Sequence, residues 1–422
     1  MNLKTASEIA TSLAILYILI NLFTGEAQFN ASIHLTVWMQ SYRSLLLDLF
    51  MALWSFLGFP FLVLFLVIYT FLEPNKHLAY KMVFFCVNTG FLNGLLKLIY
   101  TSPRPWFADE SVIAMECVAT DFGRPSGHSM FSIYVGIMFY RTYVYNTKHD
   151  PTSLPEDIES LELGSLANEE PPAIGVEDTR KKMIFKLYVL SVILVGISRI
   201  YRGAHSFDQV LLGWSYGILC FHLTVYYLEK PVEDLFDYLG GKRGRSFRRH
   251  FLVLVLVFCG CLLAPLIIFA IKENTMDLSP WLALIKEKCG ISDKNQTLLV
   301  YSLYTAAFDS LTFGILFGIM FASRNILRAT HVVSTYKTLI LKLLVALVIY
   351  SSIGSVIYVI PLGRSPYVIY VLKVSTYLFL ISFFLLAVLP RVFRRLNLER
   401  EIDDAHAGTS LKYRQITNPY YI

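Results

Sequence analysis

Ten apolar segments constrain this chain more than anything else in it. They lie at 7–24, 52–72, 79–100, 127–145, 184–200, 209–228, 251–271, 298–322, 338–360 and 367–390. About 20 apolar residues cross the hydrocarbon of a bilayer at 1.5 Å per residue. Backbone polar groups have no water to bond there, so the segments are expected to be helices. The sequence therefore predicts an all-α polytopic membrane protein of about ten spans. Composition agrees: 55% of the 422 residues are hydrophobic and 16% charged. That excludes a disordered chain, a coiled coil and an ordinary cytosolic enzyme. A net charge of +6 is small for this length and speaks against nucleic-acid binding.

The first segment, 7–24, has little basic flank and no clear cleavage site, so it is expected to be a retained anchor. The stretch 43–54 carries Arg43 and Asp48 and is expected to be an interfacial helix. Basic residues near the segment ends place both termini in the cytoplasm. The same rule puts loops 25–42, 101–126, 201–208 and 272–297 on the opposite side. The sequons Asn30-Ala31-Ser32 and Asn295-Gln296-Thr297 fall on that side too. The acidic, proline-interrupted stretch 150–178 is expected to be a disordered cytoplasmic insert. The expected organisation is a six-span core over 1–230, an accessory four-span bundle over 250–391, and a cytoplasmic tail over 392–422. The six cysteines include two in polar loops, Cys117 and Cys289. They are either a disulfide in an oxidising compartment or two free thiols.

Charges beside membrane helices are costly and therefore functional suspects. Three clusters fall at one membrane face. Lys97 and Arg104-Pro105 close the third segment, with two prolines fixing an extended exit. Pro125-Ser126-Gly127-His128 opens the fourth, where Ser126 caps a helix whose N-terminal amides favour an anion. Ser198-Arg199-Ile200-Tyr201-Arg202-Gly203-Ala204-His205 joins the fifth and sixth. Each taken alone has a plainer reading: a snorkelling pair, a cap, a lipid-facing loop. Together they present cations, helix amides and two histidines, a set that suits a phosphoryl group. Asp309, within the segment 298–322, is an intramembrane acid that is either functional or a hydrogen-bonded structural residue. Gly314 and Gly318 are spaced for close helix packing.

The three clusters resemble the motifs of the type 2 phosphatidic acid phosphatase superfamily, over roughly residues 40–230. That family includes lipid phosphate phosphatases, sphingosine-1-phosphate phosphatases and glucose-6-phosphatase. Its pattern, Lys-x6-Arg-Pro, Pro-Ser-Gly-His and Ser-Arg-x5-His-x3-Asp, is matched by Lys97-x6-Arg104-Pro105, Pro125-Ser126-Gly127-His128 and Ser198-Arg199-x5-His205. One position departs: Gln209 stands where the family has its acid, a residue that glucose-6-phosphatases also carry. Asp208, one residue earlier, is a candidate for the missing acid, and some other acid is the alternative.

The resemblance implies a metal-independent phosphatase without a cofactor. His205 would be the nucleophile that forms a phosphohistidine, His128 the acid for the leaving group, and Asp208 the group orienting His205. Lys97, Arg104, Ser126, Gly127 and Arg199 would bind the phosphate. The expected substrate is a phosphorylated lipid such as a sphingoid-base phosphate, at the lumenal face of the endoplasmic reticulum or a related endomembrane. Glucose-6-phosphate is the enzymatic alternative, and a catalytically inactive transporter or scaffold the non-enzymatic one. Membrane lipids are the expected surroundings, and oligomeric state is left open.

Overall fold

The computed structural model describes residues 3–398 except 59, 74, 118–120, 146–173, 242–244, 292–297, 323–335 and 362–364. Among the described residues the chain is helical and has no strand. The helices that matter below are α1 (Leu3–Gln40), α2 (Leu45–Gly58), α3 (Pro60–Leu72), α4 (Lys76–Tyr100), α5 (Pro105–Ala108), α6 (Gly127–Tyr140), α7 (Ile174–Tyr201) and α8 (Phe207–Leu223). They are followed by α9 (Glu229–Gly241), α10 (Arg245–Thr275), α11 (Ser279–Cys289), α12 (Leu298–Thr305), α13 (Phe308–Phe321) and α14 (Tyr336–Val359). The chain continues through α15 (Pro366–Val368), a π-helical stretch Ile369–Ser375, α16 (Thr376–Ala387) and α17 (Leu389–Arg395).

Eight helices among the described residues are long and apolar enough to cross a membrane, and the protein is an integral membrane protein. The other two expected segments are present in shorter pieces. Of the segment 52–72, the described residues on either side of Phe59 lie in α2 and α3. The segment 127–145 is α6 followed by a π-helical turn, Arg141–Tyr145.

One expectation about the N-terminal region is corrected. Residues 25–42 are not a loop: α1 continues to Gln40. Asn21, Gly25, Phe29, Ser32, Thr36 and Gln40 are buried along one side of it. The spacing of three to four is helical, but the buried face is small and polar, so a hydropathy count does not register it. The first sequon therefore sits mid-helix, with the Ser32 hydroxyl donating to the Gln28 carbonyl at 2.6 Å. The second sequon and residues 150–173 of the acidic insert lie outside the described residues. Residues 174–178, also assigned to the insert, are the first turn of α7.

The chain forms two compact units. The first comprises Met1–Leu62, Tyr100–Tyr226 and Asp277–Ser292; the second comprises Val63–Ile99, Tyr227–Met276 and Asp293–Ile422. This differs from a sequential division: residues 63–99 pack with the second unit and 277–292 with the first. In the first unit α8 packs on α1 and α6, and α7 on α2 and α6. Cys117 is bonded to Cys289 within this unit. In the second unit α13 packs on α16. A Cβ on Gly318 would lie 2.9 Å from Leu386 Cβ, so that glycine permits the close approach.

Candidate active site

Residues 101–126 and the turn between α7 and α8 meet in the first unit. The turn is closed by Gly203, whose φ of +66° favours glycine. Its carbonyl accepts from the Trp106 amide at 3.2 Å. The Gly123 amide donates to the Ser102 carbonyl at 2.8 Å, and the Ser126 amide to the Gln209 carbonyl at 3.0 Å. Backbone bonds therefore hold Arg104, Ser126 and His205 to one frame.

His205 is buried, with 1% of its surface exposed. Its Nδ1 faces two acceptors, the Gly123 carbonyl at 2.8 Å and Gln209 Oε1 at 3.3 Å. Its Nε2 lies 3.1 Å from Arg104 Nη1. Guanidinium can only donate, so the partners assign the proton to Nδ1 and a lone pair to Nε2. Arg104 also donates through Nη1 to the Ala204 carbonyl at 2.9 Å and through Nε to the Asp121 carbonyl at 2.9 Å. Its Nη2 pairs with the Asp121 carboxylate.

Gln209 joins the first and third motifs. Its Nε2 donates to the Pro103 carbonyl at 2.7 Å and to Ser102 Oγ at 3.2 Å. Its Oε1 serves His205 and the Ser206 amide, the latter at 3.4 Å. A carboxylate at this position could not donate to Pro103. Gly123 makes room for the amide: a Cβ there would fall 2.7 Å from Gln209 Nε2.

Asp208 is placed differently from the role expected of it. Its carboxylate pairs with Arg124 Nη2 at 2.6 Å and accepts from Ser206 Oγ at 2.5 Å. Arg124 also donates to the Gly25 carbonyl of α1 at 2.7 Å. The acceptors on His205 Nδ1 are Gly123 and Gln209, because the α8 helix turns residue 209, not 208, back over the histidine.

Arg199 is fully buried and its fork is filled by Glu116. Nη1 and Nη2 reach the two carboxylate oxygens at 2.7 and 2.8 Å, and Nη1 also donates to Ser55 Oγ. Arg199 Nε is buried with no partner. Glu116 meets Arg202 Nε at 2.5 Å as well. Burial is the largest single effect on this carboxyl and pushes its pKa up. The combined pull of Arg199, Arg202 and His128 outweighs it and holds Glu116 well below the usual carboxylate range. The same pull places His128 beside this cluster. A Cβ on Gly58 would lie 3.4 Å from the His128 ring.

Ser126 caps α6, its side chain accepting from the Ser129 amide at 3.4 Å. Its own amide is used by Gln209. The next amides, of Gly127 and His128, have no carbonyl four residues back within the helix. Lys97 is buried near the end of α4, in the second unit.

The structure thus brings Arg104 to His205 and His128 to the Arg199–Glu116 pair. Sequence reasoning missed Glu116, Asp121, Arg124 and Lys288. Lys288 of α11 donates to the carbonyls of Trp106, Asp109 and Val112 at 3.0, 2.7 and 2.9 Å. Burial pushes its pKa down. With the Cys117–Cys289 bond it fastens the loop that carries Arg104 and Glu116.

No curated protein and no solved structure matches the chain. Residues 78–233, which carry all three motifs, match the family model of the PAP2 superfamily, whose members are phosphatases acting on phosphate esters.

Proposed function

We propose that the protein hydrolyses a phosphate monoester of a lipid through a phosphohistidine on His205. The observation that carries this reading is the environment of that ring: Nδ1 tied to Gly123 and Gln209, Nε2 turned to Arg104. An imidazole held in that tautomer presents its lone pair for attack on phosphorus. The bond from Arg104 to Nε2 is the one a phosphoryl oxygen would take over. His205 Nε2 forms the P–N bond as the ester P–O bond breaks, and His128 gives its proton to the departing alkoxide. Water then gives a proton to His128 as it attacks phosphorus, the P–N bond breaks with its electron pair returning to Nε2, and phosphate is released.

Arg104, Arg199 and the amides of Gly127 and His128 would neutralise the oxygens. Arg199 Nε is a buried donor still without a partner, as a phosphate ligand would be before substrate arrives. Ser126 would act as the cap that aims those amides. Asp208 would work one step back, holding Arg124. In this mechanism cationic side chains supply the charge, so no metal is required.

The membrane character of the chain favours a lipid over a sugar phosphate. The charge rule and the disulfide support placing the site on the lumenal side of an endomembrane such as the endoplasmic reticulum. The test is phosphate release from a sphingoid-base phosphate and from glucose-6-phosphate by purified protein, with His205→Ala as control. Faster turnover of the lipid, abolished by the substitution and unaffected by EDTA, is expected. Preference for the sugar, or strong inhibition by EDTA, overturns the corresponding part.

A further inference from the structure

The helix α1 lies outside residues 78–233, the stretch that carries the three motifs, and its hydropathy is that of an anchor. Its buried side is of another kind. From Asn21 onward the buried residues are Asn21, Gly25, Phe29, Ser32, Thr36 and Gln40. Buried polar groups are costly unless they are hydrogen-bonded. At two places on α1 the partners are the segments that hold His205.

The first is Gln40, which is 5% exposed and uses its whole amide. Oε1 accepts from the Ile113 amide at 2.8 Å, and Nε2 donates to the carbonyls of Ile113 and Tyr201 at 3.1 and 3.0 Å. Ile113 belongs to the loop that carries Arg104. Tyr201 ends α7, where helix carbonyls run out of amides. Gly203 leaves the space: a Cβ there would lie 3.3 Å from Gln40 Nε2.

The second is Gly25. Its carbonyl accepts from Arg124 Nη2 at 2.7 Å, and the same nitrogen pairs with Asp208 at 2.6 Å. A Cβ on Gly25 would stand 3.0 Å from Arg124 Cζ and closer still to Nη1, so only glycine lets the guanidinium reach the helix backbone. Arg124 directly follows Gly123, whose carbonyl holds His205 Nδ1 at 2.8 Å. Tyr201 precedes His205 by four residues and Asp208 follows it by three, so the two grips bracket the histidine.

We propose that α1 is a positioning element of the reaction, acting through Gln40 and the Gly25 carbonyl on the two segments that present His205. The inference rests on the phosphohistidine reading and adds to it a helix that lies outside the motifs. Neither grip touches phosphate. Gln40 fixes the turn that carries the ring, and Gly25 fixes Arg124 and with it the carbonyl on Nδ1. A nucleophile displaced by about 1 Å can lose about 100-fold in rate.

The test is phosphoenzyme formation by rapid quench, with the full chain in lipid nanodiscs and excess substrate, either sphingoid-base phosphate or glucose-6-phosphate, whichever the wild type turns over. The burst amplitude counts folded sites, and the burst rate constant reports the aim of His205. Gln40→Leu leaves three backbone groups without their partner. Gly25→Ala keeps Arg124 and Asp208, favours helix and displaces the guanidinium from α1. Each should lower the rate constant by about 10–100-fold, with KM moving by less than about threefold. If Gln40→Leu does not fold, Gly25→Ala carries the test. A loss of amplitude or melting temperature with an unchanged rate constant makes α1 merely structural and overturns the inference. His205→Ala separates the two levels. A phosphoenzyme that is lost in His205→Ala but forms at the wild-type rate in both α1 variants overturns this inference alone. A wild type that forms no phosphoenzyme, or one that survives His205→Ala, overturns the phosphohistidine reading and this inference with it.

Discussion

In the first unit Arg104, Arg124 and Arg199 are buried, and each meets a carboxylate: Asp121, Asp208 and Glu116. In the second unit Asp309 is as deeply buried and meets no cationic side chain among the described residues. Charge in low dielectric is tolerated when paired and hydrogen-bonded. The first unit follows that rule and still leaves donors unspent, namely Arg199 Nε and Arg124 Nε. A region whose charges balance internally can exchange one internal anion for a substrate anion. A lone acid in low dielectric has no such pair and is favoured in its neutral form.

The largest expected effect tests the first unit. His205→Ala removes the nucleophile while its neighbours Arg104 and Gln209 keep their other bonds. Phosphate release should fall by about 10⁴-fold or more, as when a covalent catalyst is deleted. Melting temperature should change little. Activity retained within tenfold, measured by single-turnover release, would remove the first unit's claim to the chemistry.

Next comes a pair of stability measurements of opposite sign. Glu116→Gln leaves Arg199 buried without its anion, which costs about 3–5 kcal/mol in comparable pairs. Millimolar inorganic phosphate should restore much of that loss by taking the vacated fork. Asp309→Asn should be neutral or stabilising, since it removes an uncompensated charge. Denaturation of both variants with and without phosphate decides it. Equal destabilisation by both would erase the contrast between the units.

The disulfide should be worth slightly less. The Cys117–Cys289 bond closes a segment with a sequence separation of 172 and lies beside Glu116. Its loss is expected to cost about 2–4 kcal/mol. Reduction should lower the melting temperature of the wild type and leave Cys117→Ser with Cys289→Ser unchanged. It should also raise KM more than it lowers kcat, because it loosens the loop that carries Arg104 and Glu116. An unaltered KM on reduction would confine the bond to a structural role.

Much of this was legible before the fold. Lys97, Arg104, Ser126, His128, Arg199 and His205 stand out because phosphate chemistry needs those types near membrane-helix ends. Their pairing partners do not stand out. Glu116 and Arg199 are 83 residues apart, and Arg104 and Asp121 are 17 apart. No local periodicity links such pairs. A signal was present: four acids, Asp109, Glu110, Glu116 and Asp121, crowd the loop between two basic motifs. Arg124, directly before Pro125, was equally visible and not used. The length of α1 escaped because its buried stripe is made of Asn21, Gly25, Ser32, Thr36 and Gln40. Asp309 stands out as an intramembrane acid, and its hydrogen-bond partner Ser310 is the next residue in the sequence.

Gln209 offers a finer test of how the first unit balances its polar groups. Gln209→Glu keeps an acceptor for His205 Nδ1 but sets a second oxygen against the Pro103 carbonyl, now 2.7 Å from Nε2. The loss of that donor should lower kcat by about 10–100-fold, equivalent to roughly 1.4–2.7 kcal/mol. KM should move less, because Arg199 and the α6 amides are untouched. A positioning role also predicts a shift in the pH–rate profile, since a carboxylate beside Nδ1 favours protonated His205. An unshifted profile with the same loss of rate would make Gln209 a packing residue alone.

The smallest effect is the pH dependence of stability, and its sign follows from Glu116. This carboxyl sits well below its ordinary pKa in the folded state. In the unfolded chain it titrates near about 4.3. The stability it contributes is therefore fully present above that value and is lost as pH falls towards the folded pKa. Between pH 5 and 3 the unfolded chain gains this proton and the folded protein does not. The slope from this one group approaches but cannot exceed about 1.4 kcal/mol per pH unit. Glu116→Gln should flatten that part of the curve by the same amount, while Asp309→Asn leaves it in place. Melting temperatures across the interval, in a buffer of fixed ionic strength, isolate the difference between variants from the titration of exposed carboxylates. A wild-type curve parallel to that of Glu116→Gln would mean that the carboxylate is already protonated on Arg199, or free of it, above pH 5. Either result would withdraw the paired charge on which the contrast with Asp309 rests.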